Sequence, residues 1–142
     1  MLNIPSQIIN FIKKHHILTI ATVNDNNLWC ATCFYAFDFE KQQFIITTDL
    51  NTEHGKQMIN NNQVVGTIAL ETKIVGKIQG IQFAANVAIL QDENIKRARK
   101  IYFKKFPIAL PFINQLILWS VTPNYIKFTD NKLGFGKKII WP

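Results

Sequence analysis

Three clusters of residues in this chain have the types and spacing to do chemistry. The first is Trp29-Cys30-Ala31-Thr32-Cys33, a Trp-Cys-x-x-Cys string of the kind used in dithiol redox exchange. That chemistry needs the first thiol at a helix N-terminus, where the dipole lowers its pKa. Here Phe34-Tyr35-Ala36-Phe37 follows, which reads as strand. Strand residues i and i+3 point to opposite faces about 10 Å apart, beyond the ~7 Å that a disulfide spans, so the pair reads as ordinary strand cysteines. The second cluster is His15-His16 beside Lys13 and Lys14. Basic residues suit the C-terminal end of a helix, and no further His or carboxylate ligands stand at metal-binding spacing, so a cap is expected and no metal site. The third is the run Phe44–Lys56, in which Thr47-Thr48 end a strand and Thr52-Glu53-His54 open a helix. Backbone N–H groups and hydroxyls at such a corner bind anions, and His54 and Lys56 add charge. The plain alternative is a helix capped by Thr52 and nothing more.

The elements that must position these clusters follow from periodicity. Ile4, Ile8 and Ile12 recur every four residues and predict a helix, with Pro5 tolerated in its first turn. Strands are predicted at Ile17–Val23, Leu28–Phe37 and Phe44–Thr48, separated by polar turns at Asn24–Asn27 and Glu40–Gln42. A short helix from Thr52 to Asn60 leads to strands at Val64–Leu70 and Lys77–Leu90, where Gly80 suggests a bulge or a close approach of another backbone or ligand. Ile95, Ala98, Tyr102 and Phe106 form the apolar stripe of a helix whose other face carries Lys96, Arg97, Lys100 and Lys104. After a connector bracketed by Pro107 and Pro111, closing strands are predicted at Leu116–Val121, Tyr125–Phe128 and Lys137–Trp141, with turns at Pro123-Asn124 and Asn131–Gly136. Residues 1–142 read as one domain in which six or more strands with two or three helices make an α+β antiparallel barrel.

Composition narrows the partners. The chain of 142 residues has 16 Lys and Arg against 9 Asp and Glu, a formal charge of +7, and 48% hydrophobic residues, enough for a packed core and against disorder. Residues 1–94 carry six basic and eight acidic side chains, whereas residues 95–142 carry ten basic and one acidic. The C-terminal third is therefore expected to face an anion: nucleic acid, a membrane surface or the phosphate of a small ligand. Fourteen of the sixteen basic residues are Lys, in a chain crowded with Ile and Asn, so codon composition contributes to the excess. Ile4–Ile12 is interrupted by Gln7 and Asn10 and followed by its lysines, the wrong order for a signal peptide. No window approaches the ~18 apolar residues of a membrane span. With two cysteines, the expectation is a reduced, cytoplasmic protein without a membrane partner.

Four strings point further. Leu28-Trp29-Cys30-Ala31, Gly80-Ile81-Gln82-Phe83, Arg97-Ala98-Arg99-Lys100 and above all the twelve residues Lys127–Lys138 make the chain resemble the pyridoxamine-phosphate-oxidase-like FMN-binding split barrels, and within them a small bacterial subfamily. The resemblance runs through most of the chain and implies a six-stranded antiparallel split β-barrel with flanking helices, in a homodimer holding two flavins between its subunits. It implies that Thr32, Cys33 and Phe34 lie on the strand lining the flavin ring, with Thr47 and Thr48 at the next strand end. Thr52 and His54 fall where the family has a Ser-x-Lys or Ser-Arg-Lys phosphate clamp, and Gln82 where related oxidases present a Gln from the partner subunit. The sequence departs from that pattern: His54 replaces a permanent cation, Glu53 stands where Arg is often found, and the arginine of the second strand is absent. Lysines of the basic third, Lys137 among them, are the candidates to make up the missing charge.

The expected function is thus an FMN-binding flavoprotein, an oxidoreductase acting on a small molecule. FMN would carry the chemistry, so no catalytic residue of the protein is named. The alternatives are a nucleic-acid-binding module using the helix Lys96–Lys105, or a split barrel holding haem or no cofactor. Only Arg97 and Arg99 on that helix could make bidentate contacts to bases, and a lysine-studded face is ordinarily a solvated one.

Overall fold

A computed structural model describes residues 1–142. In chain order the elements are α1 (Ser6–Lys14), β1 (Ile17–Asn24), β2 (Asn27–Asp38), β3 (Gln43–Thr47), α2 (Glu53–Asn60), β4 (Gln63–Ala69), β5 (Gln79–Ile89), α3 (Asp92–Lys105), β6 (Leu118–Asp130) and β7 (Lys138–Trp141), with short 3-10 turns before β5, after α3 and after β6. The strands lie in the order β3-β2-β1-β4-β5-β6-β7, and β3 also pairs with β6. That extra pairing closes six antiparallel strands into the expected barrel and leaves β7 as an addition outside the closed circuit. β6 shares one edge between two neighbours: Leu118–Val121 pairs with β3 and Ile126–Thr129 with β7. The barrel is split where one neighbour ends and the other begins.

Alternation builds the core. Leu18 and Ile20 of β1, Cys33, Tyr35 and Phe37 of β2, Phe44 and Ile46 of β3, and Ile81 and Phe83 of β5 all point inward and are buried. Helix α1 adds Ile8, Phe11 and Ile12 to the same cluster, and the Tyr35 hydroxyl donates to the Ile12 carbonyl at 2.8 Å. Gly66 makes room for this packing, since a Cβ there would sit 2.3 Å from the Phe83 ring and 2.6 Å from the Thr19 carbonyl. A second, smaller core lies outside the barrel, where Ala98, Tyr102 and Phe103 of α3 cover Ala36, Ile45 and Leu118. Between α3 and the barrel, Arg97 donates to both oxygens of the buried Asp38 carboxylate, at 2.6 and 2.8 Å, and to Glu40 at 3.0 Å.

The β1–β2 turn is tight because Asp25 and Asn26 accept positive φ, 48° and 65°, a conformation to which Asn and Asp are better suited than most residues. Thr52 caps α2 and Cys30 and Cys33 face opposite sides of β2, the first exposed and the second buried. Two of the expected boundaries are displaced, at Pro123-Asn124 and at Lys77. The predicted turn at Pro123-Asn124 lies inside the continuous strand β6. Ala84 faces Tyr125 and Ala85 faces Pro123, so Asn124 is an extra residue bulged out of the β5–β6 ladder. Pro123 is tolerated because it falls between the β3-paired and β7-paired parts of β6, where its missing N–H has no ladder partner to serve. The strand predicted from Lys77 begins at Gln79, after a 3-10 turn at Val75–Lys77. Gly80 carries no bulge; it answers to close approach, with a Cβ there meeting the Ile68 carbonyl at 3.1 Å.

Candidate cofactor site

The strand-to-helix corner is held by its own backbone. Thr48 continues the inward face of β3 and is pinned at both ends, its N–H donating to the Ile117 carbonyl and its carbonyl accepting from the Trp119 indole at 3.1 Å. The chain then turns through Asp49, whose carbonyl accepts from the Thr52 N–H and from the Thr52 hydroxyl at 2.7 Å. The Thr52 hydroxyl in turn accepts from the Gly55 N–H at 3.1 Å. Gly55 is required here, because a Cβ would lie 2.3 Å from the Asp49 carbonyl and 2.8 Å from the Thr52 hydroxyl.

These bonds decide what the corner can offer an anion. The Thr52 hydroxyl is spent on capping, and the Lys56 N–H goes to the Thr52 carbonyl. The N–H groups of Glu53 and His54 are left as open donors at the positive end of the α2 dipole. Glu53, a carboxylate in the first turn, is drawn back along the helix by Gln57, whose amide nitrogen donates to it at 3.2 Å while its oxygen accepts from the buried Thr22 hydroxyl at 2.6 Å. His54 is half-buried with Nε2 3.4 Å from the Thr48 hydroxyl, and burial pushes its pKa below the ordinary value. The same hydroxyl meets the Cys33 thiol, whose pKa burial raises, so Cys33 is a protonated packing group here rather than a nucleophile. On the outer side of the strand end, the Tyr102 hydroxyl meets the Thr47 side chain.

Beside this corner lies an uncharged outer face. Thr32 pairs with Thr19, Thr19 with Thr67, and Thr67 with Gln82, so the four form one row across β2, β1, β4 and β5, about 14 Å wide at ~4.8 Å per strand. Their neighbours on the same face are Cys30 and Ala21, then Val65 and Ala84, with Phe34 and Ile17 toward one end. None of these side chains is charged, the row meeting its first cation at Lys127 of β6, opposite Gln82, and Ile17, Phe34 and Val65 are each about half exposed, at 47%, 57% and 54%. Thr19, Thr67, Gln82 and Tyr125 border a crevice of about 390 Å³ on it, and Leu28, Gln63 and Asn86 border another of about 440 Å³.

The nine residues singled out in the sequence therefore fall into three places. Cys33, Thr48, Thr52 and His54 meet at the corner, with Thr47 turned to its outer side against Tyr102, while Thr32, Phe34 and Gln82 lie on the uncharged face. Lys137 stands apart: its carbonyl accepts from the N–H of Asp130, at the end of β6 opposite Leu118 and Thr47. β6 is 13 residues long, a contour of up to ~40 Å, and Lys137 stands at the opposite end of it from its own chain's corner. Gly55, Gln57 and Thr22 shape the site and were not singled out. A glycine inside an eight-residue helix, where it costs about 1 kcal/mol relative to Ala, was the available signal for the first.

The donor set fits a phosphate ester in a reduced form, with two backbone N–H groups, an imidazole and the exposed Lys56 but no guanidinium. The face is flat and largely apolar, with hydroxyl and amide groups along its central row.

No family model matches the chain. A UPF0306 protein of Photorhabdus laumondii is 42% identical over 131 residues, covering 92% of this chain and 90% of that one. One of Serratia proteamaculans is 39% identical over 135 residues, covering 95% and 92%. Among solved structures, a haem-binding protein from Mycobacterium smegmatis superposes with a TM-score of 0.79 at 13% identity, matching 99% of this chain but 59% of that longer one. The haem storage protein of Vibrio cholerae gives 0.69 at 14% identity, covering 87% and 92%. A protein assigned as a pyridoxamine 5'-phosphate oxidase in Listeria innocua gives 0.69 at 12%, covering 86% and 94%. The structural likenesses establish the split-barrel fold of the pyridoxamine-phosphate-oxidase-like proteins, and the sequence identities establish that the chain belongs to the UPF0306 family.

Proposed function

We propose that the protein is an FMN-binding flavoprotein, an oxidoreductase that holds flavin between two copies of the chain and acts on a small molecule. The observation that carries this reading is that Thr32, which begins the uncharged row Thr32–Thr19–Thr67–Gln82, neighbours Cys33 in β2, whose thiol meets the Thr48 hydroxyl at the corner with the open Glu53 and His54 N–H groups. When bound, FMN supplies hydride and single-electron chemistry. The chain's part is to bind and orient it. The corner receives the phosphate, Thr32 and Phe34 border the ring, and Gln82 reaches the ring of the facing subunit. A second copy of the chain, covering the exposed Ile17, Phe34 and Val65, excludes water from the ring and buries an apolar surface that a monomer would leave wet. Lys137 takes part only across that interface. The free thiols of Cys30 and Cys33 suit a reducing, cytoplasmic setting.

Purified protein mixed with FMN and passed through gel filtration should carry flavin absorbance in the protein peak. Protein that stays colourless and shows no micromolar affinity for FMN would sink the reading. The haem proteins among the structural neighbours favour a second reading, haem on the same face. A Soret band after incubation with hemin, without retention of flavin, would select it.

A further inference from the structure

A third concavity lies away from the row and the corner, where the end of α1, the middle of β2 and the end of α3 meet. It has a volume of about 350 Å³, with Phe37, Phe39 and Ile101 among its walls and Lys13, Lys104 and Lys105 at its rim. The volume is within the range of small-molecule sites, and the lining is apolar with a few convergent polar groups.

The three lysines lack anionic partners. The ion pairs of the fold are Lys96–Glu93, Arg97–Asp38 and Arg97–Glu40, so the nearby carboxylates of Asp38 and Glu40 are already engaged by Arg97. Lys13 lies over the Phe39 ring at 4.8 Å, and Lys104 is exposed. Lys105 is half-buried, its ammonium donating to the carbonyls of Tyr35 at 2.7 Å and His15 at 3.1 Å, with the Tyr35 ring centroid 4.4 Å away. An ammonium has three N–H donors, so one remains. Burial without a counter-ion pushes the Lys105 pKa down to about 8, which an arriving anion would relieve.

We propose that this crevice binds a small organic carboxylate with a flat apolar body, its ring against Phe37, Phe39 and Ile101 and its carboxylate among Lys13, Lys104 and Lys105. Charge complementarity selects the anion, because the rim presents three cations and no free carboxylate. The aromatic walls select the body. This site is separate from the flavin reading and does not depend on it.

The probe is 2-naphthoate, followed by its fluorescence during titration into the 142-residue chain, with 2-naphthamide as the uncharged control. The expected result is a Kd on the order of 1 mM or tighter, the range open to so small a ligand, with at least tenfold weaker binding of the amide. The exposed pair Lys13→Gln and Lys104→Gln together should weaken naphthoate at least tenfold while leaving the melting temperature and the FMN affinity unchanged. Lys105→Met should do the same to naphthoate, and the exposed pair keeps the test decisive if that variant fails to fold. The proposal is overturned if naphthoate does not bind, if the amide binds equally, if the double variant binds as wild type, or if FMN displaces the naphthoate.

Discussion

The hydroxyl of Thr48 lies 3.4 Å from Nε2 of His54, joining the last inward residue after β3 to the first turn of α2. This contact sets the imidazole where a phosphate at the open Glu53 and His54 N–H groups would meet it. Because burial lowers its pKa, His54 is largely neutral in the free protein at neutral pH and gains a proton when a dianion arrives. Affinity for FMN should therefore rise severalfold as the pH falls from about 8 to about 6.5. His54→Gln should flatten that profile. In the free protein the sign reverses: the unfolded chain binds the proton first, so stability contributed by His54 is lost as the pH falls below about 6.5.

Gly55→Ala tests the corner itself. Its Cβ would be driven against the Asp49 carbonyl and the Thr52 hydroxyl. The cap should be lost at a cost of about 1–2 kcal/mol in urea denaturation, with FMN affinity falling in parallel. An unchanged midpoint would show that the corner can relax around a methyl group.

Arg97 anchors α3 to the barrel. Burial alone would raise the Asp38 pKa, but the bonds from Arg97 and from the Lys41 and Glu40 N–H groups outweigh it and hold that carboxyl below its usual range. Arg97→Met should lower the urea midpoint clearly, whereas Lys96→Met, which breaks only the exposed pair with Glu93, should leave it in place. Since the Asp38 pKa is depressed, its contribution is present above about pH 4 and disappears as the pH falls through the lower folded value. The gap between wild type and Arg97→Met should close in that acid range.

Lys105 gives the opposite edge of the pH profile. Its pKa of about 8 in the folded chain lies below the ordinary lysine value, so between about pH 8 and 10.5 the unfolded chain holds more protons. Stability should rise through that window until tyrosine ionisation intervenes, because burial raises the pKa of Tyr35 and Tyr102 and the unfolded phenols ionise first. Lys105→Met should lack the rise.

Local signals carried much of this architecture. Alternation placed Cys30 and Cys33 on opposite faces and so excluded the redox motif, Asp25-Asn26 marked the first hairpin, and Thr52 announced α2. What escaped was set by residues distant in the chain. Pro123 read as a turn because the bulge that accommodates it exists only opposite Ala84 and Ala85, nearly forty positions earlier. Lys105 read as one more surface cation because its partners, the carbonyls of His15 and Tyr35, lie 90 and 70 residues away. Thr52 and Lys137 were legible as positions but not as roles: the first spends its hydroxyl on its own helix, and the second emerges at the far end of β6.

Flavin held between two copies of the Thr32–Thr19–Thr67–Gln82 row is tested by gel filtration with light scattering of FMN-loaded protein, wild type against Thr19→Lys. Thr19 is exposed in the middle of the row, where a lysine leaves the barrel core untouched and places a charge in the interface. The wild type should run as a dimer that carries two flavins, and Thr19→Lys as a folded monomer that carries none. A wild-type monomer that retains flavin, or a Thr19→Lys dimer that retains it unchanged, would contradict it.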